Sequence, residues 1–323
     1  MQRKSAVPGL LIALLAAATF GMSGAFIKPL LESGWSPAAA VTVRALIGGI
    51  VLTPFALFAL RGHWAAFWRG RWRVLAMALV GVAGTQLVYF GALQRIPVGT
   101  AILIEYMAPL LLVAFAWATS RRMPKVVVLI GSVVALGGLV LVVAPGAKGA
   151  LDLLGLVLAV AAMVGCAVYY VVAARPSDGL PPVALAASGL VIGGVVLGLV
   201  GLTRVVPFTA NLGPTQVFGR AVPFWVPLLI VGVIATAIAY AASITASEML
   251  GSRLASFMGL LEVVAATLYA WILLGEDLTI PQLIGGLLIL VGIAFVRSEK
   301  TARVELEPAE FAAPVESSHA STP

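Results

Sequence analysis

Apolar residues come in long blocks, separated by short polar or basic stretches. A helix needs about 20 such residues to cross the hydrocarbon core, and by that ruler about ten spans are predicted. They cover residues 9–27, 38–60, 74–93, 98–119, 126–143, 153–174, 182–202, 222–243, 254–274 and 280–296. The first follows Arg3 and Lys4 as a signal peptide would. It is too long for a signal core and further spans follow, so it reads as a retained span. The expected fold is an all-α integral membrane protein.

Composition agrees with the pattern. The 323 residues are 61% hydrophobic and 10% charged, against about 25% charged in soluble domains, and mean hydropathy is +1.09. The net charge of +7 resides in short loops, not in a basic arm with interleaved aromatics. Nucleic acid is therefore not an expected partner; a lipid bilayer and a small-molecule substrate are. Cys166 is the single cysteine, and His63 and His319 are the only histidines, so neither an intrachain disulfide nor a metal site nor another cofactor is expected. The tail from 298 is rich in Glu, Ser and Pro and reads as disordered.

The positive-inside bias orients the chain. With both termini cytoplasmic, fourteen basic residues lie inside, against Lys28, Arg95, Lys148, Arg204 and Arg220 outside, and Arg44 falls within the second span. This fits a plasma membrane protein, in bacteria the inner membrane. Trp64, Trp68 and Trp72 alternate with arginines after the second span and read as interfacial anchors.

The two halves resemble each other. GLLIALLAAA from residue 9 matches GLVLAVAAMV from 155, and IGGIVL from 47 matches IGGVVL from 192. Thr85 and Tyr89 in the third span recur at the same spacing as Thr236 and Tyr240 in the eighth. MAPLLLVAFAW aligns with LEVVAATLYAW, which sets Trp117 over Trp271, Gly131 over Gly285 and Gly138 over Gly292. Each half holds five spans, and an odd number inverts the second copy in the membrane. The basic Arg121-Arg122 becomes Gly275-Glu276, as that inversion requires. Inverted repeats are a transporter architecture, with the substrate between the halves near the midplane.

These residues resemble the EamA branch of the drug/metabolite transporter superfamily, over about residues 8–297. The resemblance implies ten transmembrane helices as two inverted five-helix repeats, at 9–145 and 146–297, between a cytoplasmic N-terminus (1–8) and a cytoplasmic tail (298–323). IPVGTAILIEYMAPL, with AFIKPLL in the first span and TVRALIGG in the second, is similar to bacterial threonine/homoserine exporters. This implies export of amino acids or related amphiphiles by alternating access; a multidrug or other metabolite carrier stays open. Many family members read Leu-Glu-Pro in the ninth span, where this chain has Leu261-Glu262-Val263, so a proline kink there is not expected.

The candidate site follows from polar residues that an apolar span would otherwise exclude. Glu105 and Arg44 both lie about 10 Å below the outer ends of their spans, and Lys28 closes the first span nearby. Three readings are open: a structural ion pair of Glu105 with Arg44 or Lys28, recognition of a substrate's ammonium and carboxylate, and proton coupling. Glu262 sits mid-span without an evident partner. Thr85 with Tyr89, and Thr236 with Tyr240, share inward faces at i, i+4 spacing. Tyr106, Tyr169 and Tyr170 supply aromatic walls or packing. Pro109 is expected to kink the fourth span, and Gly194 and Gly198 to permit close packing. No HExxH, Cys/His cluster or nucleophile–base pair suggests an enzyme. No GxxxxGK[ST] suggests ATP use. Inverted repeats with intramembrane charges fit a carrier better than a channel.

Overall fold

The computed structural model describes residues 6–96, 98–121, 123–143, 152–176, 179–275 and 279–306. Arg3, Lys4, Arg122, Lys148, Glu276 and the tail beyond Leu306, with His319, lie outside them. Among the described residues, eight helices are long and apolar enough to cross a membrane, and two shorter apolar helices, 126–142 and 280–296, stand beside them. The chain is a helical, multi-pass membrane protein.

Local chemistry sets the helix ends. The first helix, α1 (Ala6–Glu32), is followed by α2 (Pro37–Ala59), where Ser36 accepts from the Ala39 amide and Pro37 opens the first turn. That is a standard N-terminus: of the four orphan donors, a hydroxyl takes one and proline removes another. The short helices α3 (Trp64–Arg69) and α4 (Arg71–Ala76) follow. The third span then continues as a π-helical stretch, Met77–Gly84, and α5 (Thr85–Leu93). The fourth span is broken into α6 (Val98–Glu105) and α7 (Ala108–Ser120). Pro109 falls in the first turn of α7, where its missing N–H costs nothing. The expected kink is thus a full break at Tyr106–Met107.

Next come α8 (Val126–Val143), α9 (Leu153–Ala173) and α10 (Pro182–Leu202). Asp152 caps α9, accepting from the Gly155 amide at 2.9 Å, and pairs with Arg95 at 3.6 Å. The eighth span comprises α11 (Trp225–Gly232), a second π-helical stretch at Val233–Ile238, and α12 (Ala239–Leu250). The ninth comprises α13 (Ser252–Gly259) and α14 (Leu261–Leu274), and α15 (Ile280–Leu306) is the last.

Three expectations need correction. The ninth span breaks at Leu260 without a proline, beside Gly259, whose missing side chain leaves room for the Tyr170 hydroxyl from α9. The first span runs on to Glu32, so Lys28 lies within the helix and does not close it. The last helix continues past 297 as far as Leu306. The helical class holds, with one short strand pair added in the loop before α11. A hairpin pairs β1 (Thr215–Val217) with β2 (Arg220–Val222) around Phe218-Gly219, whose φ values of 51° and 75° match the left-handed pair of a type I′ turn. The hairpin covers the end of α1: Thr215 Oγ1 donates to the Pro29 carbonyl at 2.7 Å, and Phe218 meets Phe26 edge-on at 5.4 Å.

Two helix crossings are built on glycine. Between α8 and α15, a Cβ on Gly131 would meet the Gly292 carbonyl at 2.8 Å, and one on Gly138 the Gly285 carbonyl at 2.5 Å. Between α2 and α10, Gly49 lies against Val191 and Gly194 against Leu46. Small residues let backbones approach where lipid supplies no hydrophobic drive for association. Outward faces are large and apolar; Phe55 is 63% and Leu287 62% exposed.

Candidate substrate cavity

Glu105 is the last residue of α6, and Glu262 the second of α14. Each adjoins a helix break, and both are half-buried inside the bundle. Arg44, also half-buried on α2, acts electrostatically on both carboxylates, and Glu105 lies in the field of Glu262. Tyr106 lies beside Glu262, close enough for its hydroxyl to interact with the carboxylate. Tyr89, Tyr106, Tyr170 and Tyr240 all lie within Coulombic reach of both glutamates. Groups from α2, α5, α6, α9, α12 and α14 therefore converge on one place.

The aromatic wall is continuous. Tyr240 meets Phe20 edge-on at 5.1 Å and Tyr169 at 5.9 Å, and Tyr169 meets Tyr170 at 5.2 Å. Such edge-to-face contacts fix ring orientation. Tyr170, Phe20 and Glu262 also line a narrow cleft of about 20 Å³ with Ser243 and Ser247, room for about one water. The hydroxyls of Tyr169, Thr236 and Ser247 are buried with no protein partner among the described residues. Buried polar atoms are nearly always satisfied, so these hydroxyls leave hydrogen-bonding capacity inside the bundle, with Ser243 the neighbour of Tyr169.

Three sequence expectations meet a different geometry. Among the described residues Glu105 forms no ion pair; Arg44 instead donates to Ser23 Oγ at 3.1 Å. The expected resting pair of Glu105 with Arg44 or Lys28 is thus not made, because equal depth fixes height in the bilayer but not the side of the helix. Lys28 is exposed near the end of α1, beside the hairpin. Thr85 donates to the Val80 carbonyl at 2.7 Å and packs on Gly165 of α9; its hydroxyl is spent on the π-helical turn. Thr236 packs its methyl on Gly48 and keeps its hydroxyl unpaired. Sequence reasoning missed Cys166, which lies in the field of both glutamates, and Ser23, Ser243 and Ser247. The signal for Cys166 was its position one helical turn before Tyr170.

A multi-pass helical bundle with charged side chains inside it is what a membrane transporter requires. The EamA-like transporter family matches residues 7–144 and again 153–298. The chain belongs to that family and carries its unit twice. It is 23% identical over 302 residues to an uncharacterized inner membrane transporter, YicL, of Salmonella typhimurium, covering 91% of this chain and 97% of the relative. Two uncharacterized Bacillus subtilis transporters, YvbV and YwfM, are each 26% identical. They cover 86% and 90% of this chain, and 86% and 96% of their own lengths. A crystal structure of another protein superposes with a TM-score of 0.73 over 93% of this chain and 100% of its own, at 21% identity; that likeness concerns the fold alone.

Proposed function

We propose that this chain is a secondary carrier that exports small amphiphilic metabolites bearing an ammonium group, amino acids foremost, across a bacterial inner membrane. In this reading ten helices form two inverted five-helix halves, both termini are cytoplasmic, and the halves rock to expose the site alternately. The glycine crossings support inversion. Gly131 aligns with Gly285 and Gly138 with Gly292, while Gly131 touches Gly292 and Gly138 touches Gly285. That exchange of partners is what a two-fold axis produces.

The observation that carries the substrate class is the charge balance. Glu105 and Glu262 share the field of one guanidinium, Arg44, inside an aromatic wall. A buried carboxylate without compensation either takes up a proton or costs several kcal/mol as an ion, and an incoming ammonium stabilises the ionised form. A substrate carboxylate would then take the Arg44 guanidinium from Ser23. A carrier of hydrophobic organic cations is the second reading, since the same acidic excess suits it. It has no use for Arg44 as an anion partner.

Counterflow in proteoliposomes with a panel of amino acids and organic cations tests both. Saturable exchange of an amino acid, lost in Glu105→Gln and in Arg44→Gln, is expected. Exchange of cations that survives Arg44→Gln selects the second reading, and the absence of saturable flux for both classes rejects the carrier.

A further inference from the structure

The two-fold relation between the halves is kept at some helix crossings and broken at others. It is kept between α8 and α15, and again between α2 and α10. At the latter, Gly49 lies against Val191 and Gly194 against Leu46. Setting IGGIVL from 47 on IGGVVL from 192 carries each of these contacts onto the other. The same match sets Gly48 on Gly193, and the repeat sets Gly81, Val82 and Thr85 on Gly232, Val233 and Thr236. Gly48 of α2 should then meet the eighth span as Gly193 of α10 meets the third.

The two contacts differ instead. A Cβ on Gly48 would meet the Thr236 methyl at 2.8 Å and the Gly232 carbonyl at 3.1 Å. One on Gly193 would meet Val82 at 2.7 Å and the Ala78 carbonyl at 3.1 Å. Thr85 and Gly81, the counterparts of Thr236 and Gly232, lie three residues beyond Val82 and Ala78. Both contacts are therefore displaced in the same direction, by nearly one turn or about 4.5 Å along the axis. The π-helical stretches are displaced too. Residues 233–238 correspond to 82–87, yet the stretch in the third span is Met77–Gly84. Thr85 donates to the Val80 carbonyl at 2.7 Å, whereas its counterpart Thr236 keeps a hydroxyl with no partner among the described residues.

We propose, on the carrier reading above, that these two registers are exchanged between the two states of the transport cycle. The third span slides one turn towards its own N-terminal end along α10. The eighth slides one turn towards its own C-terminal end along α2. In inverted halves those are the same direction across the membrane. Segments of like sequence have like packing preferences, so the exchanged arrangement lies close in energy to this one. It also presents to the opposite side of the membrane the geometry that one side has here. Packed helices hold one register or the next, not a continuum between them. A π-helical turn moves along a helix by trading bonds five residues apart for bonds four apart. In the exchanged state Gly193 faces Thr85, Gly48 faces Val233, and Thr236 donates to the Val231 carbonyl while the Thr85 hydroxyl is released.

Spin labels on the full chain in proteoliposomes test the exchange, with cysteines placed in a Cys166→Ser background. One pair is Trp72→Cys with Leu202→Cys, the other Leu57→Cys with Trp225→Cys; all four positions are exposed. Each pair should show two distances by double electron–electron resonance, separated by about 4.5 Å. The exchanged state is the longer one for the first pair and the shorter one for the second. Thr85→Val removes a bond of the present register and should raise the exchanged fraction roughly five-fold. Thr236→Val should lower it by a similar factor, and Thr85→Ser, which keeps the hydroxyl, should match the parent. Distances that stay single and unchanged in all these forms overturn the proposal. So do two pairs that change with the same sign, or two valine variants that shift the populations the same way. Saturable counterflow with fixed distances rejects the exchange alone; exchanging distances without saturable flux uphold the two registers and reject the carrier reading.

Discussion

Substituting Gly259 by alanine tests the origin of the break in the ninth span. Gly259 ends α13, and a Cβ there would collide with the Tyr170 hydroxyl. The ring cannot simply swing aside, because Tyr169 holds it edge-on at 5.2 Å. Overpacking of this kind costs about 1–3 kcal/mol. Tyr170→Phe removes the colliding oxygen and leaves the ring in place, so Gly259→Ala with Tyr170→Phe should recover most of that loss. The coupling expected between the two sites is about 1–2 kcal/mol. Melting midpoints of the four purified forms give the cycle. A Gly259→Ala protein as stable as the parent, or a double variant whose loss is the sum of the singles, would show that the Tyr170 contact does not shape the break. Flux measured on the recovered double variant then reports the hydroxyl's part in transport apart from folding.

Three further outcomes are expected. Arg44→Gln removes the cation shared by Glu105 and Glu262 and should lower the melting midpoint, with a stability loss of at most the roughly 3–5 kcal/mol of an orphaned buried charge; adding Glu262→Gln should restore part of it, and an unchanged midpoint in the single variant rejects the shared-cation geometry. Gly131→Leu and Gly285→Leu should destabilise alike because they sit at equivalent places in one crossing, whereas Gly137→Leu, with nothing within 4 Å, should be neutral by the same melting assay. In a Cys166→Ser background, a cysteine at Leu212 should react with impermeant maleimide from outside the cell and one at Ala65 should not; the opposite result reverses the orientation.

The apolar blocks made the spans legible, since a bilayer tolerates few other segments of that length. Pro109 marked the break in the fourth span because proline acts on its own backbone. The break at Leu260 carries no such local mark. The hydroxyl packed beside it comes from α9, nearly ninety residues earlier, and only tertiary packing brings the two together. The hairpin escaped notice because its turn places Phe218 at positive φ, a conformation that favours glycine or asparagine. Glu105 and Glu262 stood out as buried carboxylates, but their nearness did not. Depth along a helix was readable from residue counts; rotation about its axis was not, and rotation decides that Arg44 reaches Ser23.

Backbone that leaves the regular helical ladder inside a bilayer must be buried in protein or line a polar cavity. Among the described residues, two π-helical stretches and two breaks in the spans contain or adjoin polar residues that the sequence singled out: Thr85 and Thr236, Glu105 and Glu262. The breaks also make the two carboxylates unequal. Glu262 lies in the first turn of α14, where the helix dipole favours negative charge, and Tyr106 lies beside it, close enough for its hydroxyl to interact. Glu105 lies at the C-terminal end of α6, where the dipole opposes its charge, and Arg44 is bonded elsewhere. Glu105 therefore gains most from an arriving ammonium, while Glu262 is already held by its own helix. Glu105→Gln should weaken substrate affinity more than ten-fold with little change in melting midpoint, because the dipole's opposition disappears with the charge. Glu262→Gln should lower the midpoint and spare more of the affinity. Binding measured by intrinsic fluorescence beside melting curves separates the two effects, and equal losses of affinity in both variants would refute the division of roles.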